Sequence, residues 1–516
     1  MPDLDQILHE RFGLSAFRPM QREVMEYVLD GRDVVCVMPT GAGKSLCYQL
    51  PAVTIGGLTV VVSPLISLMQ DQVRQLHARG ITAAFLNSSQ TPGEQRDVLE
   101  QVQQGEVTLL YVAPERFFAA SFQESIDSLR PKILAIDEAH CISSWGHDFR
   151  PEYSRLGEVR DRLGGPPCIA LTATATDDVR EDIIHRLGLS EPQMVVTGFD
   201  RPNLTYEAKC LERGAEKLPM IEQLLTTEKG SAIVYCSTRK NVDAVSMQLR
   251  SALSGRKVVA YHAGMDQASR AKSQNLFMDT AGAVAVATNA FGMGINKPDI
   301  RLVIHHDTPG TLEAYYQEAG RAGRDGLPAR CVLLYHFADR MTQEFFINNI
   351  GTESGGQAED ADWIKELKDR ATAKLDLMTR YARIARCRRQ QILDYFGDEQ
   401  TLSGCTCDVC RGEFDQGEVT EATTLIVRQL LAGIARMNAR FGLVAVAEVL
   451  AGISSERATR WQLDQLTVFG LLKSHGSKKI TQMLHRLVEA GLARQRDPDG
   501  QRRPILEISP SGVKVM

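Results

Sequence analysis

Short apolar runs alternate with amphipathic stretches over the first two thirds of the chain. In residues 1–205, five runs are predicted to be buried strands: VVCVM (34–38), LTVVVS (58–63), TLLYV (108–112), KILAID (132–137) and CIALTAT (168–174). Residues 206–339 repeat this rhythm with SAIVYCS (231–237), KVVAYHA (257–263), AVAVAT (283–288), RLVIHHD (301–307) and CVLLYH (331–336). Nearly continuous apolar strands between helices are typical of parallel sheets covered on both faces. The pattern predicts two successive α/β domains joined by FDRPN (199–203), where proline interrupts regular structure.

The remaining residues change character twice. Residues 340–412 begin with a polar, glycine-rich loop and continue as helical sequence, whereas residues 413–516 predict helices followed by a hairpin. In the last segment, Ser477 is predicted to cap a helix with apolar positions at 480, 483, 484, 487 and 488, which ends at Gly491. Two strands, 492–497 and 504–509, then flank the turn PDGQ (498–501).

Composition narrows the class of protein. The chain has 516 residues, of which 43% are hydrophobic and 24% charged, so collagenous, mucin-like and wholly disordered proteins are excluded. The net charge of -5 excludes a polybasic coat, although residues 411–516 carry 15 Lys and Arg against 11 Asp and Glu. We find no signal peptide and no apolar run near the ~20 residues that span a bilayer, so we expect a cytoplasmic protein without a membrane partner.

A phosphate site is predicted where the first strand meets a helix. MPTGAGKS (38–45) resembles a phosphate loop, with Met38 where the strict pattern has glycine. Gly41 and Gly43 allow backbone amides to face a phosphate, Lys44 reaches the outer phosphates, and the Ser45 hydroxyl is suited to Mg²⁺. The alternative is a glycine-rich turn without a ligand. The predicted nucleotide-binding residues of this loop are Pro39, Thr40, Gly41, Ala42, Gly43, Lys44 and Ser45.

Acids and arginines complete the predicted site. ILAIDEAH (133–140) places Asp137 at a strand end, where a Mg²⁺ ligand belongs, and Glu138 beside it as the base for the attacking water. QEAGRAGRDG (317–326) supplies Gln317, Arg321 and Arg324 from the second domain. Because the two arginines are three residues apart, we expect them on one face of a helix, as fingers that neutralise transition-state charge. An exposed, merely solvated pair is the alternative.

Four of the eleven cysteines crowd together in residues 387–410. Cys387, Cys405, Cys407 and Cys410 suit a tetrahedral structural Zn²⁺, with free thiols as the alternative.

The ordered motifs resemble those of a superfamily 2 helicase, and FGLSAFRPMQ (12–21) and DEAHCISSWGHDFRPEY (137–153) resemble the RecQ DNA helicases. The resemblance covers essentially the whole chain. It implies two RecA-like domains (1–205 and 206–339), a helical zinc-binding module (340–412) and a winged-helix (RQC) domain (413–516). It also implies a bacterial type without the C-terminal accessory (HRDC) domain, either as a short member or as a catalytic core.

The resemblance assigns further residues. Arg18 and Gln21 are implied to contact adenine, with Leu14 where relatives often have a stacking aromatic. Trp145, His147, Phe149 and Arg150 are implied to couple single-stranded DNA to ATP hydrolysis, since aromatic faces accept any base; a hydrophobic patch under a loop is the alternative. CTCDVC (405–410) departs from the usual C-x-x-C-x-x-C spacing at Cys405. The arginines at 380, 383, 386, 388 and 389 either contact DNA phosphates or form a solvated helix face. Candidate contacts to duplex DNA are Lys478, Lys479, Arg494, Arg496, Arg502 and Arg503.

These features predict an ATP-dependent DNA helicase that moves 3′ to 5′ on single strands, unwinds duplexes and serves repair or recombination. The expected cofactors are ATP, Mg²⁺ and structural Zn²⁺. The expected partners are single-stranded and forked or duplex DNA, with single-stranded DNA-binding protein as a candidate, and we expect a monomer at the bacterial nucleoid. The alternatives are a DNA-stimulated translocase or annealing protein without robust unwinding, and a DNA-structure binding protein with a degenerate ATPase.

Overall fold

The computed structural model describes residues 3–146, 148–291, 297–351, 361–402, 404–414, 420–496 and 505–516. The chain divides into two compact units, Met1–Phe414 and Asp415–Met516. Over the described residues, no helix combines the length and apolar character that crossing a membrane requires.

The first α/β domain is built on a seven-stranded parallel sheet. Its strands are β1 Val34–Val37, β2 Thr59–Val62, β3 Ala83–Leu86, β4 Leu109–Val112, β5 Ile133–Ile136, β6 Cys168–Thr172 and β7 Gln193–Val196. Its helices are α1 Leu4–Phe12, α2 Gln21–Leu29, α3 Leu46–Ile55, α4 Ile66–Ala78, α5 Pro92–Gln103, α6 Ala120–Ile126, α7 Leu156–Arg162 and α8 Asp177–Arg186. The strand order is β3-β4-β2-β5-β6-β1-β7. Since β5, β6 and β1 are neighbours, the segments that follow them meet at one edge of the sheet.

The second α/β domain repeats the design with six parallel strands in the order β10-β11-β9-β12-β13-β8. These strands are β8 Leu204–Cys210, β9 Ser231–Tyr235, β10 Val258–Tyr261, β11 Val284–Ala287, β12 Ile300–His305 and β13 Ala329–Tyr335. The helices are α9 Lys217–Thr227, α10 Arg239–Ala252, α11 Gln267–Asp279 and α12 Leu312–Ala319. Both sheets are therefore parallel and buried, as the apolar runs predict. The runs did not reveal β3, β7 or β8.

A helical module completes the first unit. It contains α13 Phe337–Asn348, α14 Ala361–Arg383 and α15 Arg388–Tyr395. The Phe396 ring that follows α15 stacks on Phe199 of the interdomain linker, with ring centroids 4.4 Å apart. The linker backbone N–H of Phe199 also donates to Asp398, at 2.9 Å. The module thus packs on the segment that joins the two sheets.

The second unit has its own apolar core. Its elements are α16 Glu421–Arg436, α17 Leu443–Ala451, α18 Glu456–Arg460, α19 Gly476–Glu489, β14 Ala493–Arg496, β15 Ile505–Ile508 and α20 Pro510–Val515. The two strands pair in antiparallel register, as the predicted hairpin requires. Ser477 is not the helix cap, because α19 already begins at Gly476. Gly476 has a φ of 70° and directly follows a tight 3₁₀ turn over Lys473–His475. Ser477 lies inside the first turn.

Candidate functional site

The phosphate loop follows β1 and has the backbone that a phosphate cradle needs. Gly41 and Gly43 have φ of 87° and 84°, a conformation that side chains other than glycine rarely adopt. A Cβ atom on Gly43 would lie 2.5 Å from the Nε2 atom of Gln21. Lys44 donates from its Nζ atom to the Met38 carbonyl, at 3.0 Å, and Ser45 directly precedes α3. The loop therefore presents a lysine and a helix N-terminus together, a combination that binds anions.

Arg18 and Gln21 hold this loop from the side of α2. The Gln21 side-chain amide donates to the carbonyls of Ala42 and Gly43, at 3.0 and 3.1 Å. The Gln21 Oε1 atom accepts the Arg18 backbone N–H at 2.8 Å, and Arg18 donates from its Nη1 atom to Gly41. Both residues, together with the half-exposed Leu14, line the cavity above the loop. The structure thus gives Arg18 and Gln21 a loop-fixing position beside the predicted nucleotide.

Asp137 and Glu138 lie at the same sheet edge as the phosphate loop. The Asp137 carboxyl is buried, and this burial, reinforced by the charge of Glu138, raises its pKa to about 7 although Lys44 opposes the rise. Glu138 has a left-handed backbone with φ of 49°, which is uncommon outside glycine and recurs at functional sites. The buried His140 joins Glu138 to β6, because its Nδ1 atom lies 3.5 Å from Glu138 Oε2 and 2.9 Å from Thr172 Oγ1.

Residues from the second α/β domain line the same cavity, which has a volume of about 410 Å³. Gln317, Arg321 and Arg324 face Lys44, Asp137 and Glu138 across it. The prediction that both arginines lie on a helix is wrong, because α12 ends at Ala319 and they follow in turns. Gly323 has φ of 56°, and a Cβ atom there would lie 2.4 Å from Asn203 Nδ2, so the chain turns tightly there instead of continuing the helix.

Positive charge is concentrated around this cavity. Burial is the main cause that lowers the pKa of Arg324, to about 9, and repulsion by Arg321 and Arg201 adds to it. Lys44, Arg321 and Arg324 all line the cavity, so cations from both domains would face an anion bound in it. The cavity therefore suits a triphosphate whose charge is shared between the two domains.

Arg201 is a site residue that the sequence reasoning missed. Its guanidinium donates to the Thr40 carbonyl of the phosphate loop at 2.9 Å. It also donates to the carbonyls of Gly320, Ala322 and Gly323, at 3.1, 3.0 and 3.2 Å. The Arg201 side chain thus joins the phosphate loop to the turn that carries Arg321 and Arg324, which we call the arginine turn. No sequence signal indicated this role, because a single arginine inside a linker is more often solvated.

The aromatic loop after β5 is half-exposed. Trp145 is 41% exposed, and Phe149 is partly buried. Arg150 pairs with Asp148 at 3.1 Å and donates to the Pro64 carbonyl at 3.3 Å, which links the loop to the segment that follows β2. His147 lies outside the described residues. The loop thus exposes part of the Trp145 indole. It follows β5, the same strand that leads into Asp137 and Glu138.

The four clustered cysteines come together as a candidate metal centre. One ligand atom from each of Cys387, Cys405, Cys407 and Cys410 lies within 4.8 Å of all the others, so Cys405 joins the set despite its spacing. Burial would raise the pKa of the Cys407 thiol, but N–H groups of Cys410 and Arg388 outweigh it and lower the pKa. A four-thiol set of this kind fits Zn²⁺, which prefers thiolate ligands in a closed tetrahedron.

Two of the five arginines between residues 380 and 389 are structural rather than solvated. Arg388 is fully buried, and its guanidinium pairs with Asp408 at 3.0 Å. Asp408 in turn accepts the Ala208 N–H of β8 at 2.8 Å, so this ion pair anchors the cysteine loop to the second sheet. Arg389 pairs with Asp200 of the linker. Both alternatives posed from the sequence are therefore wrong for these two residues.

The candidate DNA contacts of the second unit are only partly described. Lys478 and Lys479 are exposed in the first turn of α19. The exposed Arg494 side chain pairs with Glu507 across the hairpin, at 2.6 Å. Arg502, Arg503 and the side chain of Arg496 lie outside what the structure describes.

Comparison with protein families accounts for most of the chain. A DEAD/DEAH box helicase model matches residues 18–183, and a helicase conserved C-terminal domain matches residues 216–326. A RecQ zinc-binding model matches residues 337–411, and an RQC domain matches residues 417–516.

Curated relatives and solved structures agree with these matches. The chain is 40% identical over 493 residues to the ATP-dependent DNA helicase RecQ of Pasteurella multocida, covering 95% of this chain and 74% of the relative. It is 38% identical over 517 residues to the protein of the same name from Haemophilus influenzae, covering 100% and 80%. The Mycobacterium smegmatis helicase Lhr bound to ssDNA and AMP-PNP aligns with a TM-score of 0.53 and 20% identity, covering 72% of this chain and 56% of that one, which shows the shared fold.

Proposed function

The chain belongs to the RecQ family of ATP-dependent DNA helicases, and on that premise we propose that it couples ATP hydrolysis to 3′-to-5′ movement on single-stranded DNA and to duplex unwinding. One observation carries the proposal: the paired acids of the first α/β domain and the arginine turn of the second line a single cavity. Hydrolysis in such a cavity depends on the arrangement of both domains, so each cycle can be converted into movement.

In the proposed hydrolysis, each residue has one task. The phosphate-loop amides and Lys44 hold the triphosphate, and Glu138 orients the attacking water and accepts its proton. Arg321 and Arg324 neutralise the charge that develops on the transferred phosphoryl group. Gln317 lies beside them and is assigned to the same step. We assign Arg18, Gln21 and Leu14, which line the same cavity, to the base of the nucleotide.

Mg²⁺ fits the acid end of the cavity. Burial and the charge of Glu138 raise the pKa of the Asp137 carboxyl despite the nearby Lys44, so a cation bound there would favour the ionised form. The Ser45 hydroxyl and the Asp137 carboxylate would hold the ion. When bound, it would supply positive charge that neutralises the phosphate oxygens. Zn²⁺ at the four cysteines would have a structural task, because four thiolates leave no open position.

DNA would contact both units. We assign single-stranded DNA to the Trp145 loop, where bases stack on the indole, and duplex DNA to the basic residues of α19 and the hairpin. We further propose that the protein acts as a monomer in the cytoplasm at the nucleoid, in repair or recombination, with single-stranded DNA-binding protein as a candidate partner.

Direction and substrate are tested with tailed duplexes. We expect unwinding of a duplex with a 3′ single-stranded tail, little unwinding with a 5′ tail, and ATP hydrolysis stimulated by single strands. Equal unwinding from both tails would contradict the direction. Hydrolysis stimulated by DNA without strand separation would favour a translocase, and stimulation by blunt duplex alone would favour double-strand movement.

A further inference from the structure

Helix α14 of the helical module holds the Trp145 loop at two points. The Arg370 guanidinium carbon lies 3.6 Å from the centroid of the Trp145 ring, and its Nη1 atom donates to the Ser144 hydroxyl at 3.2 Å. Lys374 donates from its Nζ atom to the Trp145 carbonyl. Arg370 and Lys374 are four residues apart, so they share one face of the helix. The aromatic loop of one domain is thus fixed by cations from a different module.

Lys374 also reaches the second α/β domain. Its Nζ atom lies 2.6 Å from the Glu313 carboxylate, whose side chain is only 4% exposed. Glu313 is in the first turn of α12, the helix that leads directly into the turn with Arg321 and Arg324. The Lys374 ammonium group therefore contacts both the Trp145 loop and α12, the helix that precedes the arginine turn.

The geometry of this bridge opposes independent movement of its two ends. A buried carboxylate that loses its cation is strongly disfavoured, so Glu313 and Lys374 are expected to stay together. The Tyr395 hydroxyl of α15 is a second neighbour of Glu313. Its burial is the main cause that raises the pKa of Tyr395, and the Glu313 carboxylate raises it further. A cavity of about 450 Å³ is lined by Trp145 together with Arg370, Lys374 and Glu313, so open space adjoins the bridge.

We propose that Lys374 is the positioning residue through which the Trp145 loop signals DNA occupancy to α12 and the arginine turn, with Arg370 fixing the orientation of the indole. This inference rests on the proposed function, because it concerns how DNA stimulates hydrolysis. When DNA displaces the Trp145 loop, the Trp145 carbonyl moves and shifts Lys374, which is hydrogen-bonded to it. The ion pair between Lys374 and Glu313 then transmits this shift to α12. The helical module then acts as part of the ATPase coupling rather than as a passive support.

The test compares Lys374→Met with Lys374→Arg and with Lys365→Met, a matched control that changes an exposed lysine of the same helix. We expect Lys374→Met to retain the DNA-free hydrolysis rate, the KM for ATP and the zinc content. Its hydrolysis rate at saturating single-stranded DNA should fall by about tenfold. Lys374→Arg should restore much of the stimulation because it keeps the charge, and Lys365→Met should behave as the native protein.

Fluorescence separates signalling from DNA binding. With Trp363 and Trp461 replaced by phenylalanine, Trp145 is the remaining tryptophan of the three. We expect its emission still to respond to single-stranded DNA in Lys374→Met, although hydrolysis no longer does. A double variant with Glu313→Gln should lose no more stimulation than Lys374→Met alone, because both changes break the same bridge.

Three results would overturn the inference. Stimulation within twofold of native in Lys374→Met would exclude Lys374 from the coupling. Equal losses of the DNA-free and DNA-stimulated rates would mean that the lysine only supports the fold. A native protein whose hydrolysis ignores DNA, while Trp145 emission responds to it, would contradict the proposed function first and the inference with it.

Discussion

Asp137→Asn should stabilise the nucleotide-free protein while it abolishes catalysis. The Asp137 carboxyl has its pKa raised from 3.8 to about 7, mainly by burial and then by Glu138. Above pH 7 the folded protein must hold this charge at a cost that the unfolded chain does not bear. Each pKa unit corresponds to about 1.4 kcal/mol, so the full penalty is about 4 kcal/mol. Asparagine keeps an oxygen for the Glu138 N–H, which Asp137 accepts at 3.0 Å.

The sign of the pH dependence follows from the raised pKa. A carboxyl whose folded pKa is raised favours folding when protonated, and this advantage is lost as the pH rises from about 4 to 7. The gain from Asp137→Asn should therefore be about 1–4 kcal/mol at pH 8.5 and less than half as large at pH 5. Retained water or movement of Lys44 toward the carboxylate accounts for the lower end of the range.

Thermal unfolding of the nucleotide-free protein measures this difference. Tm is recorded for native protein and variant at pH 8.5 and pH 5, alongside ATP hydrolysis. Asp127→Asn is a control of opposite sign, because the hydrogen bond from Arg162 lowers the pKa of Asp127 and the charged form favours folding. A Tm for Asp137→Asn that is unchanged or lower at pH 8.5 would show that the ionised Asp137 carboxylate does not destabilise the folded protein.

Three further outcomes are expected. Arg201→Ala should lower kcat for ATP hydrolysis by about 10²-fold or more, because the variant releases the arginine turn from the phosphate loop. Nucleotide affinity should change little. An equal loss of nucleotide affinity would count against this role of Arg201. Arg388→Met should destabilise the first unit by about 3–5 kcal/mol and speed zinc release to a chelator, since it leaves Asp408 charged and buried; unchanged zinc release would contradict it. Replacing Lys478 and Lys479 with alanine should weaken duplex binding and reduce its salt dependence, as anisotropy titrations at several salt concentrations would show; an unchanged slope would remove both from the interface.

Local patterns predicted much of the fold and of the nucleotide cavity. The phosphate loop and the Asp137–Glu138 pair each directly follow a continuous apolar strand, and in a parallel sheet such segments gather at the carboxyl edge. The short strand Ala83–Leu86 was missed because its small, weakly patterned residues give no clear period. Ser477 and the arginine pair were placed wrongly, since Gly476 and Gly323 adopt backbone conformations that a helix pattern does not reveal.

Long-range polar contacts were beyond the reach of sequence patterns. Arg201 meets carbonyls about 120 and 160 residues away along the chain, and Lys374 meets Trp145 and Glu313 from a third module. Single cations in a linker or on a helix are more often solvated, so their type and spacing carried no signal. Only folding brings these groups together, and the buried Arg388 shows the same limit.

ATP-driven unwinding is tested most directly with a forked duplex that has a 3′ tail, in the presence of ATP and Mg²⁺, with the native chain and with Glu138→Gln. The native protein should separate the strands. The variant should bind ATP and DNA but hydrolyse and unwind at rates lower by about 10²-fold or more, because it lacks the base. Unwinding by Glu138→Gln at the native rate would contradict the role of Glu138 as the base. DNA binding by a native chain that neither hydrolyses ATP nor unwinds would contradict the proposal that the protein is an ATP-driven helicase.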